Sequence, residues 1–398
     1  MSAPVWKVRT AALAAALLLP APLLAQGDVT GFAGVEARGV SYQAGLGIKS
    51  VSEVAVPFAV LWPVSGRLSF DLGGRYATAT FKGSNDSIAG SKGIKDSTFT
   101  ISGLTDIQVR GVYQLVPDLA VLTVSANLPT GTTKLTSGQS WTAGAIASDL
   151  QPYPVANFGS GFNVTTGLAL AVPVAGWALG VAGGYRLNGD FTPFADTTNC
   201  PVSNGKAGCA YKAGGEFRVR VGADRLVGQS RLSLGFTYSS FGEDEFGSSP
   251  IFQSGKRYIG QGSWSFPIGN LGLQVYAWDL YRSPGAQPPN VTDTTVFQKR
   301  NVLAFGAAGS VQMGRDVLRP QVEYRIYTLG YPTLASGGKL LSLGLQYQLA
   351  AGARLALLPS VRFDTGSENK LDNTTRNPTS ASAKFTGWSA GLMLRATM

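Results

Sequence analysis

From about residue 29 to the C-terminus, apolar and polar residues alternate along short runs. In 316–328, Leu318, Val322, Tyr324 and Ile326 fall on one face, and Arg319, Gln321, Glu323 and Arg325 fall on the other. In 214–224, Phe217, Val219, Val221 and Ala223 oppose Glu216, Arg218, Arg220 and Asp224. In 67–76, Leu68, Phe70, Leu72 and Tyr76 oppose Arg67, Ser69, Asp71 and Arg75. A period of two puts such sets on opposite faces of a β-strand. Past the N-terminal segment, Arg, Asp, Gln or Gly interrupts every apolar run within a few residues, so no transmembrane helix is predicted.

Counted this way, the chain predicts sixteen strands, near 29–40, 52–62, 67–81, 103–114, 119–129, 163–174, 177–191, 212–225, 229–241, 256–266, 271–282, 300–313, 316–328, 340–350, 354–364 and 385–398. Two of them, 52–62 and 271–282, alternate poorly, which leaves fourteen as the lower count. Short turns join the strands in pairs: PVSG near 64, LVPD near 116, AG at 175–176, VGQ near 228, IGN near 269, GR at 314–315 and AG near 351. Between pairs the connections are long and polar, over 41–51, 82–102, 130–162, 192–211, 242–255, 283–299, 329–339 and 365–384. In a soluble sandwich the apolar face would be a core. In a closed membrane barrel it faces lipid, the polar face lines a lumen, and closure satisfies every backbone group. Short turns alternating with long loops predict the second: an all-β transmembrane antiparallel β-barrel over 26–398, with periplasmic turns, extracellular loops and both termini periplasmic.

The N-terminus and the composition change the picture in the same direction. Lys7 and Arg9, the apolar TAALAAALLL at 10–19 and the small residues before Gln26 predict a secretory signal peptide over 1–25. Its apolar run is too short to span a bilayer comfortably. The whole chain is 44% hydrophobic and 14% charged, with 51 glycines, against about 25% charge in ordinary soluble domains. Without the signal the net charge is +8, dispersed through the strands with no basic tract, which argues against nucleic acid as a partner. In FTGWSAGLMLRATM, Trp388, Ala390, Leu392, Leu394, Ala396 and Met398 share one face. This resembles the terminal strand recognised by the barrel-assembly machinery, with Met398 where an aromatic residue is usual. The expected location is the bacterial outer membrane, with its lipid and lipopolysaccharide as partners. The sequence leaves the oligomeric state open.

There is no histidine, and the carboxylates form no motif, so neither catalysis nor a cofactor or metal site is expected. The candidate chemistry is in the lumen. Alternation places Arg38, Arg67, Arg75, Arg110, Arg186, Arg218, Arg220, Arg231, Arg319, Arg325, Arg354 and Arg362 there, against Glu36, Asp71, Asp106, Glu216, Asp224, Glu323 and Asp364. The arginine excess allows two readings: an interior that favours anions, or a paired, hydrated lining that keeps the barrel rigid. Cys200 and Cys209, in TNCPVSNGKAGCAYK, are expected to form a disulfide stapling a loop. FGEDEFG at 241–247 lacks calcium-loop spacing and is expected to be a solvated loop tip. SANLPTGTTK at 125–134 is neither a phosphate loop nor a sorting signal. Pro129 ends a strand ladder and opens the longest loop, 130–162, for which two readings stay open: it folds inward and constricts the lumen, or it is an outward surface loop. Trp141, Asp149, Tyr153 and Phe158 are its most distinctive side chains.

The segments VAVPFAVLWPVSGRLSFDLGGRYATA, LTDIQVRGVYQLVPDLAVLTVSANLPTG and FGSGFNVTTGLALAVPVAGWALGVAGGYRLNGDFTP resemble a known group, over roughly 52–193. It is the outer-membrane transporter family associated with the meta-pathway of phenol degradation, distantly similar to the fatty-acid outer-membrane channel superfamily. The shared features are a Pro in an early strand, an Asp opening a strand after a glycine (Gly103, Asp106), a strand ending LPTG, and GSG before the next strand. The resemblance implies passive uptake of small solutes, hydrophobic or aromatic ones among them. Strand pattern begins near Val29, which leaves no plug segment; an unplugged barrel of this size encloses an aqueous channel. A general or anion-preferring porin, and a structural or adhesive barrel presenting its loops, are the competing expectations.

Overall fold

The structure, a computed structural model, describes residues 28–44, 46–83, 97–196, 202–203, 206–207, 209–247, 249–286, 298–330, 335–371 and 378–398. The predicted signal peptide and Cys200 lie outside them. The first half of the wall comprises β1 (Thr30–Tyr42), β2 (Ile48–Pro63), β3 (Leu68–Gly83), β4 (Thr98–Leu104), β5 (Ile107–Val116), β6 (Ala120–Leu128), β7 (Asn163–Val174) and β8 (Trp177–Asn188). A helix, α1 (Ser137–Ile146), lies between β6 and β7. Short loop strands follow: β9 (Val202–Ser203), β10 (Lys206–Ala207) and β11 (Tyr211–Lys212). The wall continues through β12 (Glu216–Val227) and β13 (Ser230–Phe241), with β14 (Glu243–Phe246) and β15 (Ser249–Gln253) in the next loop. It finishes with β16 (Arg257–Ile268), β17 (Leu271–Arg282), β18 (Arg300–Met313), β19 (Asp316–Gly330), β20 (Ala335–Ala350), β21 (Leu355–Leu371) and β22 (Pro378–Thr397).

Every wall strand pairs antiparallel with its neighbours, and β22 returns to β1 in a register from Thr30↔Thr397 to Tyr42↔Phe385. β4 and β5 both pair with β3 and share one wall position, so the barrel is closed with sixteen. The described ends meet: Val29 N donates to the Met398 carbonyl at 3.0 Å, and Met398 N to that of Val29 at 2.8 Å. Both lie at the end of the barrel that carries the short turns. Ala175 and Gly176 there have φ of 48° and 80°, the two positive values a tight primed hairpin turn requires.

The outward face is apolar. Val54, Leu168, Val221, Leu234, Leu343 and Val361 are all exposed and alternate with inward residues. Trp62, Phe70, Tyr113 and Trp177 face out toward the short-turn end; Tyr185, Phe217, Tyr258 and Tyr281 face out toward the other, giving two aromatic girdles. Arg225 also points outward and lies over the Trp177 ring at 5.4 Å, its stem along the apolar band and its charge at the edge.

Two expectations need correction. Much of 365–384, read as loop, is strand: β21 runs to Leu371 and β22 starts at Pro378. That hairpin extends beyond the apolar band, where both faces are polar and the alternation signal vanishes. The FGEDEFG segment is not a solvated tip. It forms β14, and Asp244 is buried, accepting hydrogen bonds from the Tyr211 hydroxyl (2.6 Å) and from Gly214 N (2.7 Å).

Candidate functional site

The buried apolar cluster of this barrel lies inside it. Val40, Val51, Ala55, Ala77, Ala79, Phe81 and Ile101 on the inner face of β1–β4, with Leu340 and Phe385, pack against Ile146, Leu150, Tyr153, Val155 and Phe158 of the 130–162 loop. The registers Val40↔Val51, Arg38↔Glu53, Glu53↔Ala79 and Ala79↔Ile101 put these wall residues on one face. Four of them are alanine or isoleucine where a hydrated lumen would carry polar side chains. They form a seat.

The feet of the loop are clamped by one carboxylate. β4 ends at Leu104, and the gap before Ile107 exposes Asp106. Its Oδ1 accepts from Gly131 N at 3.0 Å; its Oδ2 accepts from Ser160 N at 2.6 Å and from the Ser160 hydroxyl at 3.1 Å. Thr130 closes the same joint, its hydroxyl accepting from Ile107 N at 2.9 Å and donating to the Thr105 carbonyl at 3.0 Å. A Cβ at Gly131 would collide with the Phe158 carbonyl and Asp106, and one at Gly159 with Gly131. The strand-opening Asp, LPTG and GSG, which are separate features in the sequence, therefore form one hinge.

From the hinge the loop enters the lumen. Thr136 caps α1 in a reciprocal box with Gln139. Gln139 Nε2 and the Thr142 hydroxyl donate to the Thr100 and Phe99 carbonyls of β4, at 3.2 and 3.1 Å. Beyond the helix, Asp149 reaches Arg282 of β17 (3.2 Å) and Arg300 of β18 (3.3 Å). The chain then turns back. Gln151 Oε1 accepts from Arg38 at 2.9 Å, and Val155 N donates to Glu53 at 2.7 Å. β17 and β18 lie across the barrel from β2 and β3, so the segment crosses the lumen and returns. Burial pushes the Tyr153 hydroxyl well above the usual tyrosine range, which keeps it neutral.

The residues expected in the lumen separate into groups. Arg38 is buried beneath the loop, paired with Asp364 at 2.7 Å; Asp364 also pairs with Arg362 at 2.8 Å. Further pairs join Arg110 with Asp71 (2.7 Å), Arg218 with Glu216 (2.8 Å), Arg231 with Asp224 (3.0 Å) and Arg325 with Glu323 (2.7 Å). Among the described residues Arg75, Arg186, Arg220 and Arg319 form no ion pair. Arg67 and Arg354 sit in short turns outside the strands, and Asp106 serves the hinge. In the loop, Tyr153 and Phe158 face the seat, Asp149 pairs with Arg282 and Arg300, and Trp141 is exposed on α1. Cys209 is described, but its expected partner is not, so the disulfide stays an expectation.

Sequence reasoning missed Glu53, Arg257, Arg282 and Arg300. The three arginines stand at strand ends, where alternation has too few neighbours to assign a face. The register Arg257↔Arg282↔Arg300 places all three inward on adjacent strands. Arg257 also pairs with Glu216 at 2.6 Å.

The chain matches no protein-family model and no curated protein sequence. Several solved barrels resemble it in shape. The anion-selective porin from Comamonas acidovorans is 12% identical, with 93% of this chain and 98% of that one covered and a TM-score of 0.40. OmpT, an outer membrane protein of Vibrio cholerae, is 9% identical over 93% and 97%, with a TM-score of 0.40. OccK1 of Pseudomonas aeruginosa is 9% identical over 93% and 99%, with a TM-score of 0.45. The strand pairing defines the sixteen-position barrel independently of these likenesses.

Proposed function

We propose that this chain is a bacterial outer-membrane channel for passive movement of small solutes, narrowed by its 130–162 loop. The long loops then face the outside, and the termini face the periplasm. The observation that carries the reading is the loop itself, seated on one wall and ion-paired to the opposite one. An apolar exterior with two aromatic girdles suits lipid, and a sixteen-strand interior is wide enough for water. The inward residues of β7 and β8, among them Gly167, Ala169, Ala182 and Gly184, are small and only half-buried. They leave room beside the loop, bordered by Arg186 of β8 and Arg220 of β12. Unpaired arginines along that passage favour anions, and the phenol-pathway resemblance adds aromatic compounds to the solutes expected.

The test is the refolded chain in a planar bilayer under a salt gradient. Discrete single-channel steps with a reversal potential on the anion side are expected. Cation preference would remove the arginine reading. An absence of steps, even after the loop is trimmed, would favour a structural or adhesive barrel.

A further inference from the structure

Arg257, Arg282 and Arg300 occupy directly opposed positions on three adjacent strands. Like charges set opposite one another in a sheet repel, so the arrangement needs an anion. Among the described residues two carboxylates pair with these arginines, and both are shared. Glu216 serves Arg218 as well as Arg257. Asp149 divides itself between Arg282 and Arg300 with one contact to each, at 3.2 and 3.3 Å. Those distances exceed the usual 2.7–2.9 Å or so of a charge-assisted hydrogen bond. The Nε atoms of Arg257 and Arg282 are buried, with no hydrogen-bond partner among the described residues. The arginines line a cavity of about 200 Å³ whose other walls include Phe241 and Phe252. Arg257 lies over the Phe241 ring at 5.5 Å. Such a volume holds on the order of six waters, the size of a small organic acid.

We propose that Arg257, Arg282 and Arg300 form a binding site for the carboxylate of a small aromatic acid, and that Asp149 of the crossing loop is its exchangeable occupant. An arriving carboxylate takes the forked donors of Arg282 and Arg300, and its ring enters the space beside Phe241 and Phe252. Asp149 is released, and the far end of the loop loses its tie to β17 and β18. The proposal rests on the channel reading only for the ligand's route, so its test measures binding rather than current.

The probe is a fluorinated benzoate titrated into the full chain refolded in detergent and followed by fluorine NMR. The matching benzamide serves as the neutral control. Saturable binding of the acid and none of the amide is expected. D149N should tighten it about tenfold, the order that one close charge pair contributes at an interface. The double variant R282Q/R300Q should abolish it, with heat-modifiable gel migration confirming that the barrel still folds. Equal binding of acid and amide, no binding of the acid, or unchanged or weaker binding in D149N would each overturn the site. Complete displacement by equimolar chloride would do the same, because it would mark an unselective anion site. Binding without channel steps would sink the channel reading and leave the site standing; steps without binding would do the reverse.

Discussion

Beneath the crossing loop, β1–β4 turn Val40, Val51, Ala55, Ala77, Ala79, Phe81 and Ile101 into the barrel, all of them buried. Across the lumen, β16–β18 turn in Arg257, Arg282 and Arg300, which stay partly open to solvent. The first wall holds the loop as a soluble core holds a helix, by excluding water. The second holds it by charge, and among the described residues the ion pairs run through Asp149. A loop attached so unequally has a fixed base and a releasable end. Substitutions on the seat should therefore cost stability, and substitutions on the arginine wall should change current and selectivity at little cost.

The largest effect is expected at Asp364. With its relative exposure of 0%, it neutralises Arg38, whose exposure is 1%. D364N leaves that guanidinium buried without its counter-charge, at a cost of about 3–5 kcal/mol. Urea unfolding of the barrel in lipid vesicles measures it; a loss below about 1 kcal/mol would mean that water reaches the seat. Next is the hinge. D106A removes three hydrogen bonds to a carboxylate and should cost about 2 kcal/mol, with protease cleavage appearing inside 135–157. An uncleaved loop would show that the seat alone suffices. E53A, which frees Val155 N, should cost about 1–2 kcal/mol in the same assay. The smallest stability change belongs to the open lining. The Arg231–Asp224 pair is 61% and 41% exposed, so R231Q should shift stability by less than about 1 kcal/mol while lowering anion preference in reversal-potential measurements.

Much of the barrel is legible in the sequence, because lipid outside and water inside impose the same period of two on strand after strand. The exceptions are informative. β2 alternates poorly because its inner face packs against the loop with Val51 and Ala55, while its outer face meets lipid with Val54 and Val56. Both faces are apolar for different reasons, and the period disappears. In β2 the lost period coincides with the seat; in β17, the other poorly alternating strand, it does not. The arginine wall is hidden for the opposite reason. Arg257, Arg282 and Arg300 are the terminal residues of their strands, and only the cross-strand register shows that they meet. The loop was legible by its length and by the Pro–Gly stop before it. Its direction was not, because inward and outward loops begin with the same turn residues. Asp106 holds both feet, Gly131 and Ser160, across 25 and 54 residues of sequence, and the inward course shows in the contacts beyond them, where Gln151 meets Arg38 and Val155 meets Glu53.

The central claim is that 130–162 narrows a channel. Single-channel conductance of the chain lacking 135–157, measured beside the intact chain in the same bilayer and salt, tests it most directly. The seat and the Asp149 tie predict a conductance severalfold higher in the deletion, with the barrel still folded. Equal conductance in the two would contradict the account.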